Sequence, residues 1–229
     1  MQGKHVYHKA AKKRLKFYKN TFEKTTEDRR QKVFEVAVSE FAANGYNATN
    51  INVIAKKADI SIGAMYSYFA SKEDLFLTIV DHGFHILESA LRGIDTKDGD
   101  IFDLFEKMLR AARDYAINYP EMNQIYLDLS TQGLSTLSSR LSRQLESITA
   151  ELYGRVLNKS RQKGLIDPDA DLQMVSFCLD NLIITFQFSF TSDYFKERMK
   201  IFLGEEAAKD EEKIIQGILS FVKKALSGR

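Results

Sequence analysis

The chain has 229 residues, of which 44% are hydrophobic and 28% charged, with two prolines and a single cysteine. This composition is that of an ordinary globular protein with a core of its own, and it favours helices over a turn-rich β fold. One cysteine excludes an internal disulfide framework and a cysteine-rich zinc site. No segment combines the charged start and apolar run of a signal peptide, so we expect a cytoplasmic protein.

The formal net charge of +2 conceals an asymmetry along the chain. Residues 1–80 carry 14 Lys and Arg against 8 Asp and Glu, a net charge of +6. The remaining residues carry 19 against 23, a net charge of −4. A basic N-terminal part joined to a mildly acidic body indicates a nucleic-acid-binding end and a second domain that stays away from phosphate.

Residues 1–24 form a basic N-terminal extension. Its positive residues are Lys4, Lys9, Lys12, Lys13, Arg14, Lys16, Lys19 and Lys24. Tyr7, Ala11, Leu15, Tyr18 and Phe22 recur at helical spacing, so the segment could form a basic amphipathic helix. Four interpretations remain open: an arm on DNA phosphate or in the minor groove, a frayed tail, an early start codon, and a segment that packs on the neighbouring domain.

The next helix is predicted to begin near Thr25 or Thr26, with acidic residues in its first turn. Its apolar stripe comprises Val33, Phe34, Ala37, Val38 and Phe41. Asn44 and Gly45 predict its end, because glycine readily takes the positive φ of a helix terminus.

Residues 45–75 predict two short helices joined by a tight turn and followed by a third helix start. The apolar residues of the first recur at spacings of three and four: Ile51, Ile54, Ala55 and Ala58. Ser61 predicts the cap of the second helix, from 62 to about 69. Ser71 and Asp74 match the capping pattern of the third. A short second helix at a steep angle to the first is typical of a helix-turn-helix, which places that helix in the DNA major groove.

Residues from about Arg29 to Val80 resemble the DNA-binding domain of the TetR family of bacterial regulators. The resemblance rests on Val33–Ala37, Glu40–Phe41, Asn44–Tyr46, Ala48–Thr49, Ile54–Ala55, Ala58, Ile60–Ser61, Gly63, Met65–Tyr66, Tyr68–Phe69, Ser71–Glu73 and Leu75. Two departures stand out. Asp59 replaces the usual turn glycine and is expected to adopt a left-handed conformation. Asn50 and Asn52 replace hydroxyl and basic residues at the start of the first short helix.

Within the second short helix, Met65 and Phe69 lie four residues apart and are expected in the core. The positions then left for the exposed side are Ile62, Gly63, Ala64, Tyr66, Ser67 and Tyr68. The small side chains at 63 and 64 would let the helix approach the groove, and those at 62 and 64 could touch a thymine methyl group.

The resemblance implies further contacts with DNA. It places Tyr66 and Tyr68 at base edges or phosphates and Lys72 at a phosphate. It also implies that Thr49 binds a phosphate through its hydroxyl and its backbone amide. Asn50 and Ser61, which open the two short helices, complete the predicted DNA-binding set. We therefore expect a helix-turn-helix domain over 25–75 and a helical ligand-binding and dimerisation domain over 76–229.

The remaining elements are predicted to be helical throughout, which makes the protein all-α. We expect helices from Lys72 to about 91, then over 101–118, 121–130, 137–162, 171–192 and 213–226. Breaks are predicted at 96–100, at Gln132 and Gly133, and at Gly164.

The segment 171–192 is apolar enough to suggest a membrane span. Asp180 and Asn181 near its middle would be costly in lipid, so we expect no membrane span and a helix buried on two sides. The resemblance implies that this helix and the amphipathic one at 213–226 form a four-helix homodimer interface. A homodimer would present two helix-turn-helix domains to a palindromic operator.

The body is rich in Phe, Tyr and Met, which form either a plain core or a pocket for a small apolar or amphipathic ligand. The resemblance favours a ligand, and with it a ligand-responsive repressor, although an activator would have the same helix-turn-helix domain. His82 and His85 have no second cluster of ligands, so we expect no metal, and we expect no cofactor. No catalytic motif is recognisable, so we expect no enzyme. The alternative is a helical interaction or ligand-binding protein that does not read DNA.

Overall fold

The computed structural model describes residues 16–93, 99–131 and 135–227, with the side chains at 87, 90–92 and 131–145 left out of the description. All regular structure within these ranges is helical, and they contain no strand. The all-α prediction is therefore confirmed. The expected breaks at 96–98 and 132–133, and the first fifteen residues of the basic extension, lie outside the described residues.

Eleven α-helices and one 3₁₀ turn account for the described chain. They are α1 (Asn20–Glu23), α2 (Glu27–Ala48), α3 (Ile51–Lys57), α4 (Ile62–Tyr68), α5 (Lys72–Arg92), α6 (Ile101–Asn118), α7 (Pro120–Thr131), α8 (Ser135–Gln162), α9 (Leu172–Phe188), α10 (Asp193–Leu203), the 3₁₀ turn (Ala207–Lys209) and α11 (Glu211–Leu226).

The chain divides into two compact units. The N-terminal unit comprises the residues up to Ala37 together with Asn50–Ile79, and the body comprises Val38–Thr49 together with the residues from Val80 onward. The long helices α2 and α5 each contribute to both units. Gly45 breaks α2 near its end with a φ of 70° and an extended ψ of 169°, a conformation that favours glycine.

The N-terminal unit has a small apolar core built from every helix in it. The fully buried side chains are Phe22, Val33, Ala37, Ile54, Ala55, Met65, Phe69, Leu75 and Ile79. The predicted inward positions Met65 and Phe69 are both 0% exposed. Burial of these groups supplies most of the driving force, because helices of seven residues are not stable alone.

Polar side chains cap the start of three helices, as predicted for Ser61 and Ser71. The Asn50 side chain accepts from the Asn52 amide at 2.9 Å, and the Ser61 hydroxyl accepts from the Ala64 amide at 3.0 Å. The Ser71 hydroxyl accepts from the amide three residues on, at 3.1 Å. These caps satisfy amides that have no partner inside a helix, so each boundary is set locally by the sequence.

The turn between α3 and α4 also follows the prediction. Asp59 has a φ of 56°, the only positive value among the described non-glycine residues. Its amide bonds to the Lys56 carbonyl and the Ile60 amide to the Ala55 carbonyl, which together form the left-handed termination typical of helix ends. Gly164 ends α8 with the same geometry and a φ of 70°.

The body is held together by an apolar core between α6, α8, α9 and α11. Its most buried members are Ile101, Phe105, Leu109, Tyr153, Leu157, Ile166, Leu179, Ile215, Leu219 and Val222. The buried Ser160 hydroxyl accepts from the Ile101 amide at 2.9 Å and so ties the start of α6 to α8. Arg110 makes two hydrogen bonds of 2.8 Å to Glu212, which join α6 to α11 at the surface.

The predicted helix at 171–192 is shorter than expected. α9 ends at Phe188, and a turn through Ser189–Ser192 leads into α10, which the sequence did not reveal. The apolar run continues through this turn, so hydrophobicity could not mark the boundary. No helix among the described residues is by itself both long and apolar enough to cross a membrane, and α9 and α10 reach that level only as a pair bent by 107°.

Candidate nucleic-acid interface

α3 and α4 bury their apolar faces in the core of the N-terminal unit and expose the opposite faces. Ile51, Ile54 and Ala55 are buried on α3, and Met65 is buried on α4. Two helices joined by a short turn, with the second short enough to enter a groove, match the geometry of a helix-turn-helix.

The exposed face of α4 carries most of the residues predicted to contact DNA. Ile62 is 50% and Tyr66 44% exposed. The other predicted residues on the exposed surface are Asn50, Ser61, Gly63 and Ser67, while Ala64 and Lys72 are half-buried. The Ser67 hydroxyl donates to the Ala64 carbonyl of its own helix at 2.7 Å.

Gly63 lies at the centre of this face, and the fold does not require a glycine there. Its φ is not positive, and a Cβ built at the position would meet only the Ser61 hydroxyl, at an ordinary 3.9 Å. Glycine is a poor helix former, so it is unfavourable at a position that could accept a larger residue. Its presence fits a surface that another macromolecule must approach closely.

Two predicted contact residues are placed differently from the expectation. Tyr68 was expected on the exposed side but is only 6% exposed, with its hydroxyl 3.3 Å from that of Thr25. Thr49 is 4% exposed, and its hydroxyl lies within hydrogen-bonding distance of the Glu40 and Gly45 carbonyls, at 3.0 and 2.7 Å. Helical spacing alone could not show the burial of Tyr68, because its partner Thr25 comes from another segment. Thr49 instead bonds to carbonyls of the preceding helix α2, four and nine residues earlier.

The described end of the basic extension is a brace against α4. This N-terminal brace comprises residues 16–25, of which only α1 is helical, so the predicted long amphipathic helix is wrong for this part. Phe22 is 2% exposed, and its ring centre lies within 6 Å of four other rings, those of Tyr18, Phe34, Tyr68 and Phe69. The brace is therefore part of the core of the N-terminal unit.

Hydrogen bonds to three backbone carbonyls reinforce this contact at the last turn of α4. The Lys19 amide donates to the Tyr68 carbonyl at 2.8 Å, and the Lys19 ammonium donates to the Tyr66 carbonyl at 2.8 Å. The Thr21 hydroxyl donates to the Ser67 carbonyl. The last carbonyls of a helix have no partner within it, so the brace fixes the end of α4 by supplying donors to all three.

Several positive charges near the brace are used within the unit. Lys16 pairs with Glu23 at 2.7 Å, and hydrogen bonding to Lys16 is the main cause that lowers the pKa of the Glu23 carboxyl. The Arg30 guanidinium donates to the carbonyls of Glu23 and Thr25 at 2.8 and 2.6 Å. These cations stabilise the turn around α1, so their first role is structural.

The body contains a mostly apolar pocket. It is partly open to solvent and is lined by Val80, Gly83, Phe84, Tyr115, Met122, Ile125, Tyr126, Leu129 and Gln187. A Cβ at Gly83 would collide with the end of the Met122 side chain and lie 3.5 Å from the Tyr115 hydroxyl. Glycine on α5 therefore leaves room for the end of the Met122 side chain at the pocket wall.

The polar groups at the pocket wall are held by one another. The Gln187 amide donates to the Asn123 side-chain oxygen at 2.6 Å, and the Asn123 amide donates to Thr191 at 2.6 Å. Burial raises the pKa of the Tyr115 hydroxyl, so this group stays protonated. On α5, burial and the neighbouring His85 lower the pKa of His82. The described residues contain no group of three or more side chains that could hold a metal ion.

Comparison with known proteins gives three kinds of similarity. Residues 33–79 match the family model for bacterial regulatory proteins of the tetR family. The transcriptional repressor NicS of Pseudomonas putida is 28% identical over 161 residues, which cover 65% of this chain and 73% of that protein. The transcriptional repressor KstR2 of Mycobacterium tuberculosis is 24% identical over 147 residues, 64% of this chain and 74% of its own.

A solved structure extends the similarity of fold to most of the chain. The crystal structure of a TetR family transcriptional regulator from Chloroflexus aurantiacus superposes with a TM-score of 0.70 at 20% sequence identity. The match covers 93% of this chain and 99% of that one. The helical body as well as the N-terminal unit thus has the fold of these regulators.

Some residues of the interface were not predicted from the sequence. Val53 on α3 is 38% exposed beside Asn52. Its position outside the apolar stripe of α3 could have predicted this exposure from the sequence. The brace contacts of Lys19 and Thr21 gave no such signal, because they join segments more than forty residues apart.

Proposed function

Because this chain belongs to the TetR family of DNA-binding transcriptional regulators, we propose that two copies of it bind a palindromic operator and are released by a small organic ligand. The observation that carries this proposal is the exposed face of α4, with Tyr66 and Ile62 projecting around a glycine that the fold does not require. The protein then acts as a cytoplasmic repressor.

Sequence reading is assigned to α4 and phosphate binding to its surroundings. Ile62 and Ala64 suit the thymine methyl group, and Tyr66 suits a base edge or phosphate. Lys72 and the amides at the start of α3, next to Asn50, suit phosphates. Tyr68 and Thr49 act indirectly in this proposal, since both are buried. The basic residues before 16 are proposed to add phosphate contacts.

The homodimer is supported by apolar side chains left exposed on α9 and α11. Met174 and Phe177 on α9 are 57% and 66% exposed, and Phe221 on α11 is 64% exposed. Each of these helices buries its opposite face in the body, so the exposed side is the second apolar face expected from the sequence. Exposed apolar surface of this kind marks an interaction site.

The pocket of the body supports a small ligand. Its lining is apolar and aromatic with a few polar groups, which is the usual composition of a ligand site. We propose that ligand binding favours a conformation in which the two helix-turn-helix domains of the dimer no longer fit one operator.

The proposal is tested by selecting operators from short genomic fragments with the purified protein. We expect enrichment of a palindrome bound by two chains, and loss of that enrichment in Tyr66→Ala, whose side chain takes no part in the core. Circular dichroism and mass measurement of the variant are the controls for fold and dimer. Absence of any sequence preference at low salt would instead favour a helical interaction or ligand-binding protein that does not read DNA.

A second variant separates DNA contact from stability. Gly63→Leu is expected to fold at least as stably as the parent, because the position is open and leucine is a better helix former. The added side chain would hold α4 away from the groove and weaken operator binding by about tenfold or more, the effect of removing one good base contact. Operator affinity and thermal unfolding, both measured on this variant, show whether binding is lost while stability is kept. Unchanged affinity would place the reading surface elsewhere.

A further inference from the structure

Two half-buried carboxylates lie on packed neighbouring helices of the body, near enough for the charge of Asp180 to raise the pKa of Glu146. Glu146 belongs to α8 and Asp180 to α9, and the two helices pack against each other. Glu146 accepts from the Tyr126 hydroxyl at 3.3 Å. Neither carboxylate forms an ion pair with any side chain in the part of the chain that the structure describes.

Two negative charges without a nearby cation are unfavourable in a half-buried position. Burial raises the pKa of Asp180 to about 6, and burial followed by the charge of Asp180 raises the pKa of Glu146. Buried charges in proteins are normally paired, and among the described residues this pair of carboxylates has no cationic partner that would offset its desolvation.

A third group points to the same missing partner. Tyr153 is 1% exposed, and its buried hydroxyl has no hydrogen-bond partner in the described part of the chain. After burial itself, the charge of Asp180 is the factor that raises the pKa of this hydroxyl, so the two groups lie near each other. Buried hydroxyls are almost always hydrogen-bonded, and an exception needs a physical reason.

The carboxylates are connected to the apolar pocket through Tyr126. Its ring lines the pocket while its hydroxyl reaches Glu146. On α9, Asp180 and the pocket residue Gln187 are seven residues apart and thus on one face of the helix, about 10 Å from each other. A ligand would have to be elongated and lie along this face to reach both places.

We propose that the pocket binds an amphipathic organic cation, with its apolar part among Phe84, Met122 and Ile125 and its ammonium or similar group between Asp180 and Glu146, beside Tyr153. A metal ion is disfavoured, since the described residues hold no group of three suitable ligands. An anion would meet two carboxylates, and a neutral group would leave their charge uncompensated. The proposal rests on the proposed function in one respect only, that the pocket of the body is the effector site.

Matched compounds test the charge preference without knowledge of the natural effector. The two sets are 3-phenylpropylamine, 3-phenylpropan-1-ol and 3-phenylpropanoate, and octylamine, octan-1-ol and octanoate. Binding to the full-length protein is measured by calorimetry at about pH 8, where the amines are charged and Asp180 is ionised. In at least one set we expect the amine to bind about 10- to 100-fold more tightly than the alcohol, and the carboxylate most weakly.

Variants then locate the charge. Asp180→Asn is expected to remove most of the preference for the amine over the alcohol, and Tyr153→Phe to reduce it a few-fold. Asp169→Asn, which neutralises an exposed carboxylate of the body, is the matched control and should leave the preference unchanged. Equal or tighter binding of the alcohol, no binding by either set, or an unaltered preference in Asp180→Asn would each overturn the proposal.

Operator binding without compounds, measured on the same preparation, separates this proposal from the wider one. A protein that binds its operator but prefers neutral compounds would refute only the cationic ligand. A protein that prefers the amines but selects no operator would refute only the proposed DNA function.

Discussion

Replacing Phe22 with alanine is expected to lower the free energy of unfolding of the N-terminal unit by about 3–5 kcal/mol, the usual effect of removing a buried phenylalanine. The side chain is 2% exposed and touches rings from α2 and from the end of α4. Its removal would leave a cavity at the base of α4 and would release the brace. Operator affinity should fall with stability, because α4 would no longer be held by Lys19 and Thr21.

Urea unfolding followed by circular dichroism, with hydrogen exchange on the amides of 62–69, measures this effect. Faster exchange at the end of α4 is the result specific to the brace. Two controls isolate it. Lys24→Ala changes an exposed residue close to Phe22, and deletion of residues 1–15 removes basic charge but keeps the brace. Both should retain the stability of the parent. Normal protection of α4 in Phe22→Ala would show that the brace does not position it.

The same deletion is the appropriate test of the basic residues before the brace. If they bind phosphates, the dependence of operator affinity on salt should become less steep, by about 0.9 in the logarithmic slope for each phosphate that the shortened protein no longer neutralises. Removing residues 1–24 would not give a clear answer, because that change also removes Phe22 from the core.

Replacing Asp180 with asparagine is expected to stabilise the body at neutral pH. The folded protein raises the pKa of this carboxyl from 3.8 to about 6, because burial disfavours the charged form. A shift of this size corresponds to about 3 kcal/mol when the carboxyl is fully ionised. Asparagine has a similar shape and no charge, so the variant avoids this cost. Such a gain marks a residue that is unfavourable for the fold and fits a role in binding.

The sign of the pH dependence follows from proton binding. The folded state holds the proton on Asp180 more tightly than the unfolded state does, so this group lowers the stability as pH rises from about 4 to 6. Above about pH 7 the decrease is complete. The advantage of Asp180→Asn over the parent should therefore be small near pH 4, grow up to about pH 6 and stay constant to about pH 8.

Urea unfolding of both proteins at half-unit steps from about pH 4.5 to about pH 8 checks this dependence. Asp169→Asn is again the control, because its carboxylate is exposed and should give no such profile. An advantage that is constant over the whole range would assign the stabilisation to a cause other than the charge of Asp180.

The helices and their boundaries were largely determined by the sequence. Serine and asparagine caps at 50, 61 and 71 act on amides two or three residues away, and the left-handed turn at Asp59 involves only its neighbours. Apolar spacing identified Met65 and Phe69 as core residues for the same local reason. The helix-turn-helix could therefore be recognised from residues 45–75, and the match of residues 33–79 to the tetR family model confirms the resemblance.

Only the tertiary structure decided which polar and aromatic residues are available to a partner. Tyr68 lies one position from the expected inward stripe, and the brace buries it from a segment more than forty residues earlier in the chain. The turn that separates α9 from α10 interrupts an apolar run that continues on both sides. Asp180 and the Tyr153 hydroxyl, neither of which has a partner of opposite charge or a hydrogen-bond partner respectively among the described residues, lie on different helices. Their burial depends on how those helices pack. Capping and periodicity act within a few residues and can be read from the chain, whereas burial and electrostatic pairing depend on distant segments that only folding brings together.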